Sequence, residues 1–272
     1  MPPMPDFAAH RASLLERLGD DEAVLVFAGP THLRNGDADY RYRPDSDLYW
    51  LTGWEDPEAV AWLRPGEEPL TMFVQARDKE REQWDGRRPG PEGAKASFGA
   101  DAAFTIAELE KELPRLLQGV RKLHYGFAVD ADHDSLLMAS IKKAARAARQ
   151  NGLSWPETFI SPSLLLHELR LHKTDDELAV LREAARIGSM AMKAAMARSE
   201  PGLNEYQIEA LLTATYLEHG SNGPGYTPIV AGGAGATILH YITNRERLQD
   251  GELLLVDAGC EFALYTCDIT HT

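Results

Sequence analysis

A chain of 272 residues is long enough to bury one large core or two modest ones. Its formal charge of −14, from 28 basic and 42 acidic residues with no long basic run, argues against nucleic acid or an anionic membrane as the main partner. The hydrophobic share of 44% is that of a globular protein; no stretch forms a signal peptide or nears the roughly 20 apolar residues of a membrane span, so a cytoplasmic protein is expected.

Phe7 to Leu18 reads as an amphipathic helix, and AVLVFAG at Ala23 to Gly29 as a buried strand ended by Gly29-Pro30. Arg34 to Leu63 is dense in aromatic and charged residues and reads as a turn-rich loop feeding a strand. Pro69 to Gln75 gives another strand, and Arg77 to Gly93 a charged loop. Trp84 in that loop, flanked by Asp85, Arg87 and Arg88, either tucks against its own domain or helps to wall a substrate pocket. A helix at Thr105 to Leu117, a strand at Lys122 to Gly126 and a helix at Asp132 to Arg149 follow, the last with a solvated basic face. This alternation predicts a small mixed α/β domain.

Ser161 to Lys173, SPSLLLHELRLHK, is placed at the boundary between a domain spanning 1–168 and one spanning 169–272. His167 and His172 evoke a helical zinc motif, but that motif needs histidines four apart. A spacing of five turns them roughly 140° from one another on a helix. Thr174 opens a helix through a capping box with Glu177, with Asp175 and Asp176 favourable in the first turn. Leu178, Leu181, Ala185, Gly188, Met192 and Met196 recur at helical spacing and predict its apolar face. Asn204 caps a second helix with a stripe of Ile208, Leu211, Leu212 and Thr215. GGAG at Gly232 to Gly235 lacks the spacing of a dinucleotide or phosphate loop and reads as turn glycine after the strand YTPIVAG, which Tyr226 opens. His240 follows in ILHY, where a lone histidine on an apolar strand is usually a satisfied core residue.

The last twenty residues, LLLVDAGCEFALYTCDITHT, hold two apolar runs that each lead to an aspartate, Asp257 and Asp268. They read as a hairpin. With Asp257 across from Asp268, the carboxylates sit roughly 5 Å apart on one face and can share one divalent cation or a pair. The alternative is that both are strand-end turn residues. A carboxylate-rich site favours manganese or magnesium. Cys260 and Cys267, the only cysteines, alternate onto the opposite face and read as small buried hydrophobes.

ILHYITN at Ile238 to Asn244, with DGELLLVDAGCEFALYTCDITHT from Asp250, resembles the metal-site region of Xaa-Pro aminopeptidases (aminopeptidase P) of the pita-bread peptidase group. YRYRPDSDLYWLTG at Tyr40 to Gly53 resembles the N-terminal domain of the same family, and WDGRR from Trp84 its WxGRR loop. The resemblance implies an α/β (α+β) fold: a small mixed α/β domain of the creatinase/aminopeptidase P N-terminal type, then an incomplete pita-bread catalytic domain. It implies that Asp257 and Asp268 bind two divalent metal ions, usually manganese, completed by a later His and two later Glu residues from a missing C-terminal segment. It gives His240 a catalytic role, stabilising the tetrahedral intermediate or relaying a proton, and makes Trp84 and Tyr226 substrate-binding residues. The implied substrate is a peptide with proline second, whose tertiary amide lacks an N–H and needs a dedicated site; a hydroxide bridging the metals attacks the scissile carbonyl. Residues 1–272 alone are expected to be inactive, and a homo-oligomer, dimer or tetramer, is expected. Alternatives are a prolidase acting on dipeptides only, or a non-catalytic binding module on the same fold, as in histone-chaperone pseudo-peptidases.

Overall fold

The computed structural model describes residues 4–272, which divide into two compact units, Asp6–His172 and Lys173–Thr272, with Met4 and Pro5 grouped with the second. Among the described residues no helix is long and apolar enough to cross a membrane.

The first unit runs α1 (Phe7–Leu15), β1 (Glu22–Phe27), β2 (Leu33–Asn35), β3 (Ala38–Asp39), α2 (Ser46–Thr52), β4 (Val60–Leu63), β5 (Leu70–Val74), α3 (Glu82–Asp85) and α4 (Gly90–Phe98). It continues with β6 (Ala102–Thr105), α5 (Leu109–Leu116), β7 (Lys122–His124), α6 (Ala131–Asn151), β8 (Thr158–Ile160) and α7 (Ser163–Leu171). Six strands form one sheet in the order β6-β5-β4-β1-β7-β8. The pairs β1–β4 and β4–β5 are antiparallel, while β5–β6, β1–β7 and β7–β8 are parallel.

Both faces of this sheet are covered, which is why its strands read as continuous apolar runs rather than alternating ones. Val24 and Val26 of β1 join one core with Leu14, Leu48, Leu51 and Leu166. Ala23 and Leu25 join the other, with Leu113 and Leu117 near α5 and Leu137 and Ala144 of α6.

The segment expected as a turn-rich loop holds a helix, α2. Asp45 caps it, accepting from the amides of Asp47 and Leu48 at 2.9 Å, and Gly53 ends it in the left-handed conformation. Leu48 through Thr52 are all buried, so the segment shows none of the amphipathic period that marks a surface helix. Trp84 lies on the short α3 and is 88% exposed, which rules out burial against its own domain.

The second unit opens with α8 (Asp175–Arg198) and α9 (Glu205–Glu218). Thr174 and Glu177 form the expected capping box, and Asn204 with Gln207 forms another. The expected apolar face of α8 is displaced: Ala185 and Met196 are exposed, and the buried stripe runs through Val180, Ala184, Ile187, Gly188, Ala191, Met192 and Ala195. Close approach selects this stripe of mostly small residues, since a Cβ at Gly188 would lie 2.7 Å from Cys267 Sγ. Hydropathy points instead to the larger Leu178 and Leu181, which are only half-buried.

The strands that follow are β9 (Gly223–Pro224), β10 (Ile229–Gly232), β11 (Leu254–Asp257), β12 (Cys260–Phe262), β13 (Tyr265–Thr266) and β14 (Thr270–His271). They form two antiparallel three-stranded sheets, β10-β11-β14 and β13-β12-β9. The expected single hairpin is thus two nested pairings. β12 and β13 close on Ala263 and Leu264, both left-handed at φ 48° and 61°, the pattern of a two-residue turn whose usual occupants are Asn and Gly. Outside it, Asp257 pairs with Thr270 rather than with Asp268. Asp268 is therefore offset by two residues, a diagonal neighbour of Asp257 rather than its direct partner.

Candidate metal centre

Asp257 ends β11, where burial gives way to partial exposure, and Asp268 sits exposed between β13 and β14. Their offset is closed by Tyr226, in the segment between β9 and β10. The Tyr226 hydroxyl lies 2.7 Å from Asp257 Oδ1 and 3.0 Å from Asp268 Oδ1. The two carboxylate oxygens therefore converge on a single point.

A phenolic hydroxyl has one proton to donate, so at any instant one of the carboxylates lacks it. Two like charges this close are unfavourable without a cation between them. The same surroundings keep Tyr226 protonated: burial, then the hydrogen bonds to Asp257 and Asp268, then their negative charge push its pKa far above the usual tyrosine range. Oxygen-only donors in this arrangement fit a hard divalent ion. Among the described residues no group of three or more His, Cys, Asp or Glu side chains is placed to hold a metal. Asp257 and Asp268 are two carboxylates that meet at one hydroxyl.

Gly259 makes the convergence possible. A Cβ there would lie 1.7 Å from the Cys267 carbonyl oxygen, so only glycine lets the chain leaving Asp257 pass the chain entering Asp268 this closely. On the inner side, Cys260 and Cys267 are buried as free thiols with their sulfurs 3.8 Å apart, in one core with Ala184, Ile187 and Phe262. Alternation keeps both out of reach of the carboxylate side.

His240 departs from its expected setting. It lies exposed on a turn, not on an apolar strand, because Gly233 at φ 51° ends β10 and sends the chain into a 3-10 turn over Gly233–Thr237. The structure thus brings together Tyr226, Asp257 and Asp268, sets His240 on a loop of the same unit, and carries Trp84 on the other unit. The bridging role of Tyr226 has no signature in sequence, since it depends on where three separate segments meet.

Residues 7–125 match the family described as aminopeptidase P, N-terminal domain, and residues 179–272 match metallopeptidase family M24. The chain belongs to the aminopeptidase P type of the M24 metallopeptidases. The solved aminopeptidase PepP of Pseudomonas aeruginosa superposes with a TM-score of 0.95 at 38% identity, over 100% of this chain and 62% of that one. The Xaa-Pro aminopeptidase of Escherichia coli is 36% identical over 270 residues, covering 98% of this chain and 61% of the relative. Human Xaa-Pro aminopeptidase 3 is 30% identical over 262 residues, covering 93% of this chain and 50% of its own length. The chain therefore spans between half and about three fifths of the relatives it matches.

In this aminopeptidase P-type chain, Tyr226→Phe separates support from ligation. Loss of the shared hydroxyl is expected to lower metal-free stability by about 1 kcal/mol, as for a part-buried hydrogen bond to a charged group. Mn2+ is still expected to raise the melting temperature, because both carboxylates remain. Thermal melts with and without Mn2+ check this; a Tyr226→Phe protein that no longer responds to metal would make the hydroxyl part of the metal site.

Proposed function

We propose that this chain belongs to an enzyme that removes the N-terminal residue from peptides carrying proline at the second position. The observation that carries the reading is the convergence of Asp257 and Asp268 on one hydroxyl, within the segment matched to a metallopeptidase family. In this reading Asp257 and Asp268 hold two divalent ions, with manganese favoured by the oxygen donors. When bound, the ions supply Lewis-acid activation of water and of the scissile carbonyl. Tyr226 orients the two carboxylates and flanks the substrate. His240, exposed on its turn, is free to donate a hydrogen bond to the oxygen on which charge develops, or to relay a proton to the leaving proline nitrogen. Trp84 offers an exposed aromatic face to the peptide. Cytoplasmic location and homo-oligomeric assembly, dimer or tetramer, belong to the same proposal.

The test is hydrolysis of a peptide series with Mn2+ present. Residues 1–272 alone are expected to be inactive; a chain that adds the later His and Glu ligands should cleave Xaa-Pro-Yaa and leave Xaa-Ala-Yaa intact. Cleavage confined to the dipeptide Xaa-Pro would make the enzyme a prolidase, a reading the aminopeptidase relatives disfavour. Metal bound without any hydrolysis by that longer chain would overturn the proposal in favour of a binding module.

A further inference from the structure

Glu205 is the first residue of α9 and is fully buried. An acidic residue at that position ordinarily faces water and serves the helix dipole. Here it faces one loop and takes three hydrogen bonds from it. Glu205 Oε1 accepts from the Gly232 amide at 2.8 Å. Its Oε2 accepts from the Tyr241 hydroxyl at 2.8 Å and from the Glu246 amide at 2.9 Å. The Glu205 amide in turn donates to the Glu246 carbonyl at 3.0 Å.

Those donors flank His240. Gly232 is where the loop leaves β10, Glu246 is where it returns, and Tyr241 is the neighbour of His240 itself. Asn244 adds a second anchor: it is buried at φ 48°, its Oδ1 accepts from the Val230 amide at 3.0 Å, and its Nδ2 donates to the Pro228 carbonyl and to Glu209 of α9. Between these ties Ile238, Leu239 and His240 stand exposed. A buried carboxylate is costly unless its oxygens are satisfied. Among the described residues, the hydrogen-bond partners of the Glu205 carboxylate all belong to this one loop, so its burial is coupled to the loop's conformation.

We propose that Glu205 is a positioning residue: it holds the loop that presents His240 to the substrate, without touching the metal ligands. This rests on the aminopeptidase reading for the role of His240, but the anchoring can be measured without turnover. In the 272-residue chain, amide hydrogen exchange across 232–246 and the imidazole resonances of 15N-labelled histidine report the loop directly. Glu205→Gln keeps the volume but sets an amide N–H2 against the loop's own donors. It is expected to speed exchange at Gly232 and Glu246 by about tenfold or more and to broaden or split the His240 resonance, while exchange in α8 is unchanged. Tyr241→Phe, a milder variant, should perturb the His240 resonance while leaving the Gly232 and Glu246 amides protected.

In the longer, active chain, Glu205→Gln is expected to lower kcat by about tenfold or more, with Mn2+ affinity unchanged. Unchanged loop exchange in Glu205→Gln, an unmoved His240 resonance in Tyr241→Phe, or Mn2+ affinity falling in step with kcat would each overturn the proposal. So would exchange in α8 rising together with that of the loop, since Glu205 would then be a general stabiliser. Failure of the wild-type chain to cleave Xaa-Pro peptides would sink the aminopeptidase reading instead, and the loop measurements would still decide the anchoring.

Discussion

Under the proposed aminopeptidase function, alanine at Asp257 or at Asp268 is expected to abolish high-affinity Mn2+ binding and, in a chain extended by the later His and Glu ligands, to lower kcat/KM by about 10^3-fold or more, equivalent to about 4 kcal/mol of transition-state stabilisation. The stability of the metal-free protein should move the other way. Without a cation the two carboxylates share one Tyr226 proton and repel one another, so removing either charge relieves the strain that a metal would relieve. Metal-free Asp268→Asn, which keeps the side-chain volume, is therefore expected to melt at or above the wild-type temperature. Its Mn2+-induced rise should vanish, whereas the wild type should gain about 2.7 kcal/mol at a hundredfold excess of metal over Kd. Titration calorimetry and paired melts read both effects. A variant that still binds Mn2+ with wild-type stoichiometry would show that these carboxylates are turn residues after all.

Gly259→Ala is expected to be the most damaging small substitution in the second unit. The added methyl would lie 1.7 Å from the Cys267 oxygen, 2.6 Å from its carbonyl carbon and 3.2 Å from the Asp268 Cα. All of these are backbone atoms, so no rotamer change makes room. The β11–β12 junction and the segment entering β14 must move apart, and they carry Asp257 and Asp268 with them. A loss of at least about 3 kcal/mol is expected, at the upper end of overpacking costs, with Mn2+ binding lost in whatever protein still folds. Chemical denaturation checks the first and calorimetry the second. A Gly259→Ala protein of wild-type stability would mean that the close approach of these segments is not a feature of the fold in solution.

What could be read directly from residue order was whatever depends on near neighbours or on residue type alone. Thr174 with Glu177, and Asn204, are helix starts because capping satisfies amides within three residues. Leu70 to Val74 is a strand because a run of buried apolar residues suits a sheet covered on both faces. Asp257 and Asp268 stood out because few residue types bind hard cations, and the spacing in ILHY and LLLVDAGCEFALYTCDITHT resembles one family.

Tertiary structure decided what depends on distant segments meeting. α2 is buried on every side and so has no periodicity to read. The α8 stripe was misplaced because a close contact with Cys267, not hydropathy, chooses which small residues face inward. The turn at Ala263 and Leu264 lacks the glycine that usually announces it, and that unannounced turn moves Asp257 into register with Thr270. Tyr226 then supplies, from about thirty residues away in sequence, the hydroxyl that draws the two aspartates together. Glu205 is an acid at a helix start, a common position, and only burial against Gly232, Tyr241 and Glu246 marks it as an anchor. The sequence by itself determined that Asp257 and Asp268 stand at the ends of two apolar runs, in a pattern that resembles one family. Their convergence, and the placement of His240 on an anchored loop, were decided by contacts between segments that no local preference encodes.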